Sequence, residues 1–329
     1  MGERGIGRLA AVFLVLSACA LSGCGEGTRQ APVAVSPPAA AGPPIAARNF
    51  NSEVQFRVWV VREEGGGMEP VGITPAEKPI EIPACWMWGV APLRGADVRS
   101  VAHEIAALNI QGLQLYFATD DDMADLEDLK GLQWLILAGT KVTDAGLAHL
   151  KQLKKLQTLD LSFTQLTDAG LVHLEGLKRL QWLNLQKTQV ADAGLAHLKD
   201  LRGLLVLSLS DTGVTDAGLV QLTKLKGLQH LELSDTKITD AGLMHLKGLQ
   251  ALRTLDLSFT QVTDAGLEHL KALKGLQALG LFNTQITDAG LTHLKELRGL
   301  QRLYLYDTKV TDAGIKEFKQ AMPNVDVMR

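Results

Sequence analysis

The sequence predicts an α/β solenoid in which parallel strands and short helices alternate. A block reading T-D-A-G-L occurs eight times at a constant spacing of 24 residues, from 143–147 to 311–315, with Ala191 and Ile315 as its two departures. Ahead of each block stands the pattern L-x-x-L-x-L, as at Leu156, Leu159 and Leu161. A fixed period of this length is typical of repeat architectures, in which each unit buries its apolar face against its neighbours.

The N-terminus predicts export. Arg4 and Arg8 precede an almost uncharged apolar stretch that is too short for a comfortable membrane span and that ends in Leu21-Ser22-Gly23-Cys24. This motif resembles the signal of bacterial lipoproteins, which are cleaved before the cysteine and lipidated on it. The resemblance implies a signal peptide at 1–23, a lipid on Cys24 and an extracytoplasmic location, with outer membrane or cell surface favoured because Gly25 is not Asp. A signal cleaved elsewhere and an uncleaved anchor are the alternatives.

Two segments separate this signal from the repeats. Residues 24–49 are rich in Pro, Ala and Gly, and they predict a semi-extended linker without a core. Residues 50–94 contain the alternating stretch 54–60, which predicts a half-buried strand. We interpret 50–94 as a β-rich cap over the first repeat, with a separate ligand-binding domain as the alternative. Cys85 is then the only cysteine besides Cys24 in the mature chain, and its aromatic neighbours favour burial.

Residues 95–329 resemble the leucine-rich-repeat family, through the L-x-x-L-x-L pattern that eight repeats carry. The resemblance implies a right-handed horseshoe with parallel strands on the concave face and short helices on the convex face. We expect ten strands, including a leading one at 113–115 and a closing one at 325–327, and a first helix at 96–107. Asp of each T-D-A-G-L block is the predicted helix N-cap, and the block's Gly predicts close approach of neighbouring repeats.

Two further repeated positions predict structural roles. Thr140 and its seven equivalents are expected to bond turn backbone, since one role repeated eight times is structural rather than catalytic. His149 and its equivalents recur on the helical side, where residues one repeat apart are too distant to share a zinc ion. We therefore predict neither a catalytic residue nor a metal site.

Function is expected where the repeats differ, on the strand positions that face away from the leucines. These positions carry aromatic residues towards both ends of the repeat array and acidic residues between them, a combination typical of an interface for a cationic partner. The predicted ligand-binding residues are Trp134, Asp160, Phe163, Trp182, Asp211, His230, Glu232, Asp235, Asp256, Phe259, Phe282, Tyr304 and Tyr306.

The sequence thus predicts a non-enzymatic, lipid-anchored protein-interaction module that binds a protein or peptide, possibly cationic, on its concave face. A net charge of −3 argues against nucleic acid, and no motif indicates a cofactor. One alternative is an envelope structural or glycan-binding surface protein. An enzyme that uses residues 50–94 is a weaker alternative. The T-D-A-G-L block also resembles the repeats of F-box ligase subunits, but the cysteine and the F-box of those proteins are missing here.

Overall fold

The computed structural model describes residues 48–50, 52, 55–61, 69–74, 80–82, 87–92 and 97–329. The signal peptide at 1–23, Cys24, Cys85 and the linker up to residue 47 lie outside the described residues. Within the described ranges, no helix has both the length and the apolar character needed to cross a bilayer. The chain divides into two compact units, the first made of 1–166 with 176–183 and the second of 167–175 with 184–329.

Strands of the first unit combine antiparallel and parallel pairing. Strand β2 pairs antiparallel with β3 and β5, β5 runs parallel to β6, and β6, β7 and β8 continue in parallel register. A separate antiparallel pair joins β1 to β4. The strands are β1 (Arg48–Phe50), β2 (Phe56–Val61), β3 (Glu69–Ile73), β4 (Ile80–Ile82), β5 (Met87–Pro92), β6 (Gly112–Gln114), β7 (Trp134–Ile136) and β8 (Thr158–Asp160).

Strands of the second unit are all parallel, and each pairs with the strand 24 residues later except for the closing one. The boundary between the units passes through β9 (Trp182–Asn184). The remaining strands are β10 (Val206–Ser208), β11 (His230–Glu232), β12 (Thr254–Asp256), β13 (Ala278–Gly280), β14 (Arg302–Tyr304) and β15 (Asp326–Met328). The predicted leading and closing strands correspond to β6 and β15, which confirms both.

Short helices follow the strands and confirm the α/β solenoid. The α-helices are α1 (Val98–Leu108), α2 (Asp120–Met123), α3 (Asp144–Leu147), α4 (Asp192–Leu195), α5 (Asp216–Leu222), α6 (Asp240–Leu243), α7 (Asp264–Leu267), α8 (Asp288–Leu294) and α9 (Asp312–Ala321). Turns of 3-10 helix lie at Ala124–Leu126, Ala148–Gln152, Asp168–Leu174, Met244–Gly248 and Glu268–Ala272. The predicted first helix is α1, and its N-cap Asp97 accepts the backbone N–H of Ser100 at 3.0 Å.

The core consists of the repeated leucines. Leu156 and Leu159 are fully buried, and Leu161 is 1% exposed. The equivalent leucines of the other repeats are at most 4% exposed. Each buried leucine contributes roughly 1.5–3 kcal/mol relative to an exposed one, so the constant spacing of this one residue type supplies most of the driving force for stacking.

Aspartate of the T-D-A-G-L block has a different role from the one predicted. The N-cap is the preceding threonine, since Thr215 Oγ1 accepts the N–H of Ala217 at 3.3 Å. The carboxylate of Asp216 instead reaches the next repeat, where Oδ1 accepts the N–H of Thr239 at 2.9 Å and Oδ2 accepts its hydroxyl at 2.6 Å. The N-cap prediction was wrong because the partner of this carboxylate lies 23 residues further along the chain. We call this recurring pair of bonds the Asp–Thr rung.

Glycine of the same block sits against this carboxylate, which confirms the predicted close approach of neighbouring repeats. A Cβ atom added at Gly194 would lie 2.5 Å from Asp168 Oδ1 and 3.1 Å from Asp168 Cα. A side chain at this position would therefore displace both the acid and its backbone.

Each strand ends in a turn that the predicted threonines stabilise. Thr164 Oγ1 donates to the carbonyl of Leu161 at 2.6 Å, and the bond recurs at Thr140 and the other equivalents. The residue before this threonine adopts positive φ in all eight repeats, although only Gly139 among them is a glycine. Asp and Asn tolerate this left-handed conformation, but a phenylalanine there is strained.

Candidate functional site

The side chains that differ between repeats form what we call the variable face. In the repeat of β12 it consists of Thr254, Asp256, Ser258 and Phe259, and in each other repeat it consists of the four residues at the same register. Alternation along the strand places the leucines in the core and the first three of these residues on the opposite side of the sheet. The fourth is the turn residue with positive φ.

Trp134 does not present its indole to solvent, contrary to expectation. It is 3% exposed, and its ring lies 5.9 Å from that of Trp59 at an interplanar angle of 36°. Trp59 itself lies over Gly89 and Gly112, since a Cβ added at Gly112 would come within 2.9 Å of its ring. The Trp59 side chain on β2 thus covers the variable face at Gly112 and Trp134.

Two other predicted site residues in the first unit are also buried. Trp182 is 3% exposed and Asp160 is 4% exposed. Asp160 Oδ1 accepts the backbone N–H of Ser162 at 2.9 Å and its hydroxyl at 2.7 Å, so this acid stabilises the end of β8. Phe163 is half-buried in the left-handed turn conformation. The acid and the two tryptophans are poor contact residues for an incoming partner.

Aromatic residues that the sequence reasoning missed lie one repeat earlier. Phe117 is 59% exposed, and its ring centroid lies 6.3 Å from that of Tyr116. Extending the register of the variable face from β7 back to β6 places Tyr116 at the third position and Phe117 at the fourth. The shorter spacing between these two repeats obscured the equivalence.

In the second unit, Glu232 and Asp256 are direct register partners on β11 and β12. Asp256 is 1% exposed and Oδ1 accepts the N–H and the hydroxyl of Ser258, at 2.9 and 2.5 Å. Glu232 and His230 are half-buried, while Asp211 and Asp235 are exposed in the turns after β10 and β11. The structure therefore places Glu232 and Asp256 side by side, with Asp211 and Asp235 in the turns that follow β10 and β11.

Burial gives these groups unusual proton affinities. It raises the pKa of Glu232 to about 7, against the lowering effect of a hydrogen bond with Ser208, and the nearby Asp256 carboxylate adds a smaller increase. Burial also raises the pKa of Asp256, against the effect of its bonds to Ser258. The pKa of His230 falls to about 4 because of burial and the charge of Arg253. Glu232 is thus a group on this face that changes charge near neutral pH.

An aromatic cluster, formed by Phe259, Phe282 and Tyr306, lies beside these acids. The rings of Phe259 and Phe282 are 4.8 Å apart, and those of Phe282 and Tyr306 are 6.1 Å apart, both pairs being tilted. Ser258 connects the cluster to the acids, because its Oγ accepts the N–H of Phe282 at 3.2 Å while donating to Asp256. Tyr304, the other predicted aromatic, is half-buried on β14.

Glu232→Gln is expected to stabilise the protein at pH 9 and to have little effect at pH 5. Because the folded-state pKa of Glu232 is raised from 4.5 to about 7, its favourable contribution is complete below pH 4.5 and is lost as the pH rises through 7. After allowance for partial exposure, we expect a gain on the order of 2 kcal/mol in the free energy of unfolding at pH 9. Urea unfolding at both pH values measures this change in the free energy of unfolding, and Asp235→Asn, at an exposed acid, is the control. Equal gains at the two pH values would contradict this assignment.

The helical side shows the predicted structural histidines. His149 Nδ1 lies 2.6 Å from Glu127 Oε1, and His197 Nδ1 lies 2.7 Å from Glu175 Oε1, each pair joining consecutive repeats. No group of three or more His, Cys, Asp and Glu residues that could hold a metal ion occurs in the part of the chain that the structure describes.

Comparison with known proteins agrees with this architecture. Residues 130–190 match a leucine-rich-repeat family, and residues 227–247 and 248–271 match a second leucine-rich-repeat family. No curated protein matches the chain. Among solved structures, an internalin C2 from Listeria monocytogenes shares 27% identity with a TM-score of 0.51, covering 64% of this chain and 84% of its own. Another internalin from Listeria monocytogenes shares 20% identity with a TM-score of 0.47, covering 70% and 76%.

Proposed function

Because the chain is a leucine-rich-repeat protein, we propose that it is a non-enzymatic binding module that engages a protein or peptide through the variable face. The observation that supports this most is the contrast between two sets of residues. The core leucines, the Asp–Thr rungs and the turn threonines are nearly copied from repeat to repeat, whereas the four residues of the variable face differ as a set between adjacent repeats, although those of the β8 and β12 repeats are the same. A purely structural role would not require that variation.

The exposed part of this face favours the second unit as the contact region. In the first unit Trp134, Trp182 and Asp160 are buried, and Phe117 is exposed without an exposed acid on the same face among the described residues. In the second unit Phe259 is 39% exposed and shares the face with the exposed acids Asp211 and Asp235. Exposed aromatic residues contribute much contact area at low cost in side-chain entropy, which is why they dominate many interfaces. We therefore assign the predicted ligand contacts to the residues between Asp211 and Tyr306.

We further propose that the protein is a lipoprotein that acts outside the cytoplasm. The motif that ends at Cys24 and the Pro-rich linker after it support this proposal. About 25 residues of extended chain would allow the repeats to lie up to roughly 75 Å from the lipid anchor. Residues 50–94 would then cap the first repeat, a role supported by the packing of Trp59 on Trp134. Cys24→Ser should shift the protein from the detergent phase to the aqueous phase in a phase-partition assay; unchanged partitioning would exclude the anchor.

The binding face is tested by photo-crosslinking in cells that produce the full-length chain. A benzophenone amino acid replaces either Asn283, which is exposed beside the aromatic cluster, or Val220, which is 44% exposed on helix α5. We expect a protease-sensitive adduct at position 283 and none at position 220. An adduct only at 220 would place the partner on the helical side. An adduct at 283 that resists protease but yields to glycan hydrolases would favour the glycan-binding alternative.

A further inference from the structure

We propose that the partner segment carries arginine or lysine side chains, which the aromatic cluster and the carboxylates beside it bind together. This inference rests on the proposed function and specifies the chemistry of the partner. It concerns only the second unit, where Phe259, Phe282 and Tyr306 lie next to Asp235, Glu232 and Asp256.

The aromatic cluster is the first observation. Phe259 is 39% exposed and has φ of 57°, a left-handed conformation in which a phenylalanine is disfavoured. At the same register, the repeats on either side have Asp235 and Asn283, which tolerate this conformation. Backbone preference therefore does not account for the phenyl group, which stays 39% exposed despite its contact with Phe282. A strained residue that keeps an exposed aromatic side chain is a reasonable indicator of a binding role.

Charge is the second, independent observation. Between residues 206 and 307, which the structure describes throughout, the variable face contains five acidic residues, and Arg302 is its one permanently charged base. The backbone N–H of Asp235 donates to Ser258 O at 3.0 Å, and that of Phe259 donates to Phe282 O at 2.7 Å, so these turns are held side by side. An exposed carboxylate is thereby fixed in the turn adjacent to the exposed phenyl ring.

The two features together match a cation better than they match an apolar or acidic segment. A cationic group is attracted to the face of an aromatic ring within about 6 Å, and a carboxylate beside the ring adds a direct ion pair. Guanidinium suits this arrangement best, because it is planar, stacks on rings and forms two parallel hydrogen bonds with one carboxylate.

Protonation of Glu232 makes the same interaction dependent on pH. The charged or titratable groups on its own strand, on the neighbouring strands and in their turns are His230 on β11, Asp256 on β12, Arg253 just before β12, and the exposed Asp211 and Asp235. Since the pKa of Glu232 is about 7 and that of His230 is about 4, a rise from pH 6 to pH 8 adds negative charge at Glu232 and leaves His230 neutral. A cationic partner should therefore bind more tightly at pH 8, by at most about tenfold for each pH unit and proton released.

The test measures fluorescence anisotropy of labelled nine-residue peptides on the full-length protein. One peptide carries arginines spaced by Gly and Ser, and its control carries citrulline, the uncharged analogue, at the same positions. We expect at least tenfold tighter binding of the arginine peptide and at least threefold tighter binding at pH 8 than at pH 6. Equal affinity for the two peptides would overturn the inference.

Matched variants locate the interaction. Phe259→Asn removes the ring and places a residue suited to positive φ, so folding is retained, and it should weaken arginine-peptide binding at least tenfold. Phe163→Asn makes the same change at the same register in the first unit, outside the contact region assigned between Asp211 and Tyr306, and should leave binding unchanged. Asp235→Asn should weaken binding about fivefold, while Asp200→Asn, an exposed acid outside the variable face, should not. Equal effects within either pair would overturn the inference.

Failure of this inference and failure of the proposed function are distinguishable. A protease-sensitive adduct at position 283 together with equal binding of the arginine and citrulline peptides would leave the binding face in place and refute only the cationic partner.

Discussion

Trp134→Ala is expected to lower the free energy of unfolding by roughly 3–5 kcal/mol, the range typical of removing a buried tryptophan. Trp134 is 3% exposed and packs on Trp59, which crosses Gly89 and Gly112 to reach it. Its loss would leave a cavity between the repeats and the strands that precede them. Urea unfolding, followed by circular dichroism, measures the change.

Phe117→Ala provides the control for this substitution. Phe117 is an aromatic residue of the same unit but is 59% exposed, so its removal should change the free energy of unfolding by no more than about 0.5 kcal/mol. Similar effects of the two substitutions would show that the indole of Trp134 does not form part of the core.

Asp216→Ala is expected to destabilise the protein by roughly 3 kcal/mol. The substitution removes both bonds of an Asp–Thr rung and leaves the N–H of Thr239 without its acceptor, and each bond to a charged group contributes about 1.5–3 kcal/mol. The short helix keeps its cap, because Thr215 rather than Asp216 provides it. Thermal unfolding monitored by calorimetry gives the difference.

Asp168→Ala is the matched comparison, since the next repeat has Ala191 in place of threonine. In that rung Asp168 accepts one hydrogen bond, from the N–H of Ala191 to Oδ1 at 2.6 Å. The loss in free energy of unfolding should therefore be about half of that at Asp216. Equal losses at the two positions would mean that the threonine hydroxyl contributes nothing to the contact between repeats.

Regular features of the fold follow directly from the repeat spacing. Leucines at a fixed register predict that each repeat strand pairs with its copy 24 residues later. The same pairing includes β15 at the end, and β6 joins it with a shorter spacing of 22 residues to β7. The close approach at the repeated glycine was also predictable. Glycine destabilises a helix, so its presence in every repeat indicates that a larger side chain would clash with the neighbouring repeat. The Asp–Thr rung was not, because a local N-cap explains the same aspartate equally well from sequence alone.

Exposure on the variable face was harder to predict than its composition. The position of Trp134 depends on Trp59, which lies in a non-repeating segment, so the repeat pattern carries no information about it. Asp160 and Asp256 are buried because Ser162 and Ser258 fold back onto them, a local turn that the spacing of acids does not reveal. By contrast, the adjacency of Glu232 and Asp256 followed from the register, and the structure places them as partners.

The missing hydroxyl at Ala191 has a consequence for cooperativity. In a repeat array, stability is close to the sum of the intrinsic stabilities of the repeats and the interaction energies between neighbours. A weak interface between two repeats therefore allows the repeats on one side to unfold without those on the other. The rung between Asp168 and Ala191 has one hydrogen bond, whereas the rung between Asp192 and Thr215 has two. Native-state hydrogen exchange should accordingly reveal two groups of amides that open at different free energies, with their border at this weak rung. Restoring the hydroxyl with Ala191→Thr should merge them into one cooperative unit.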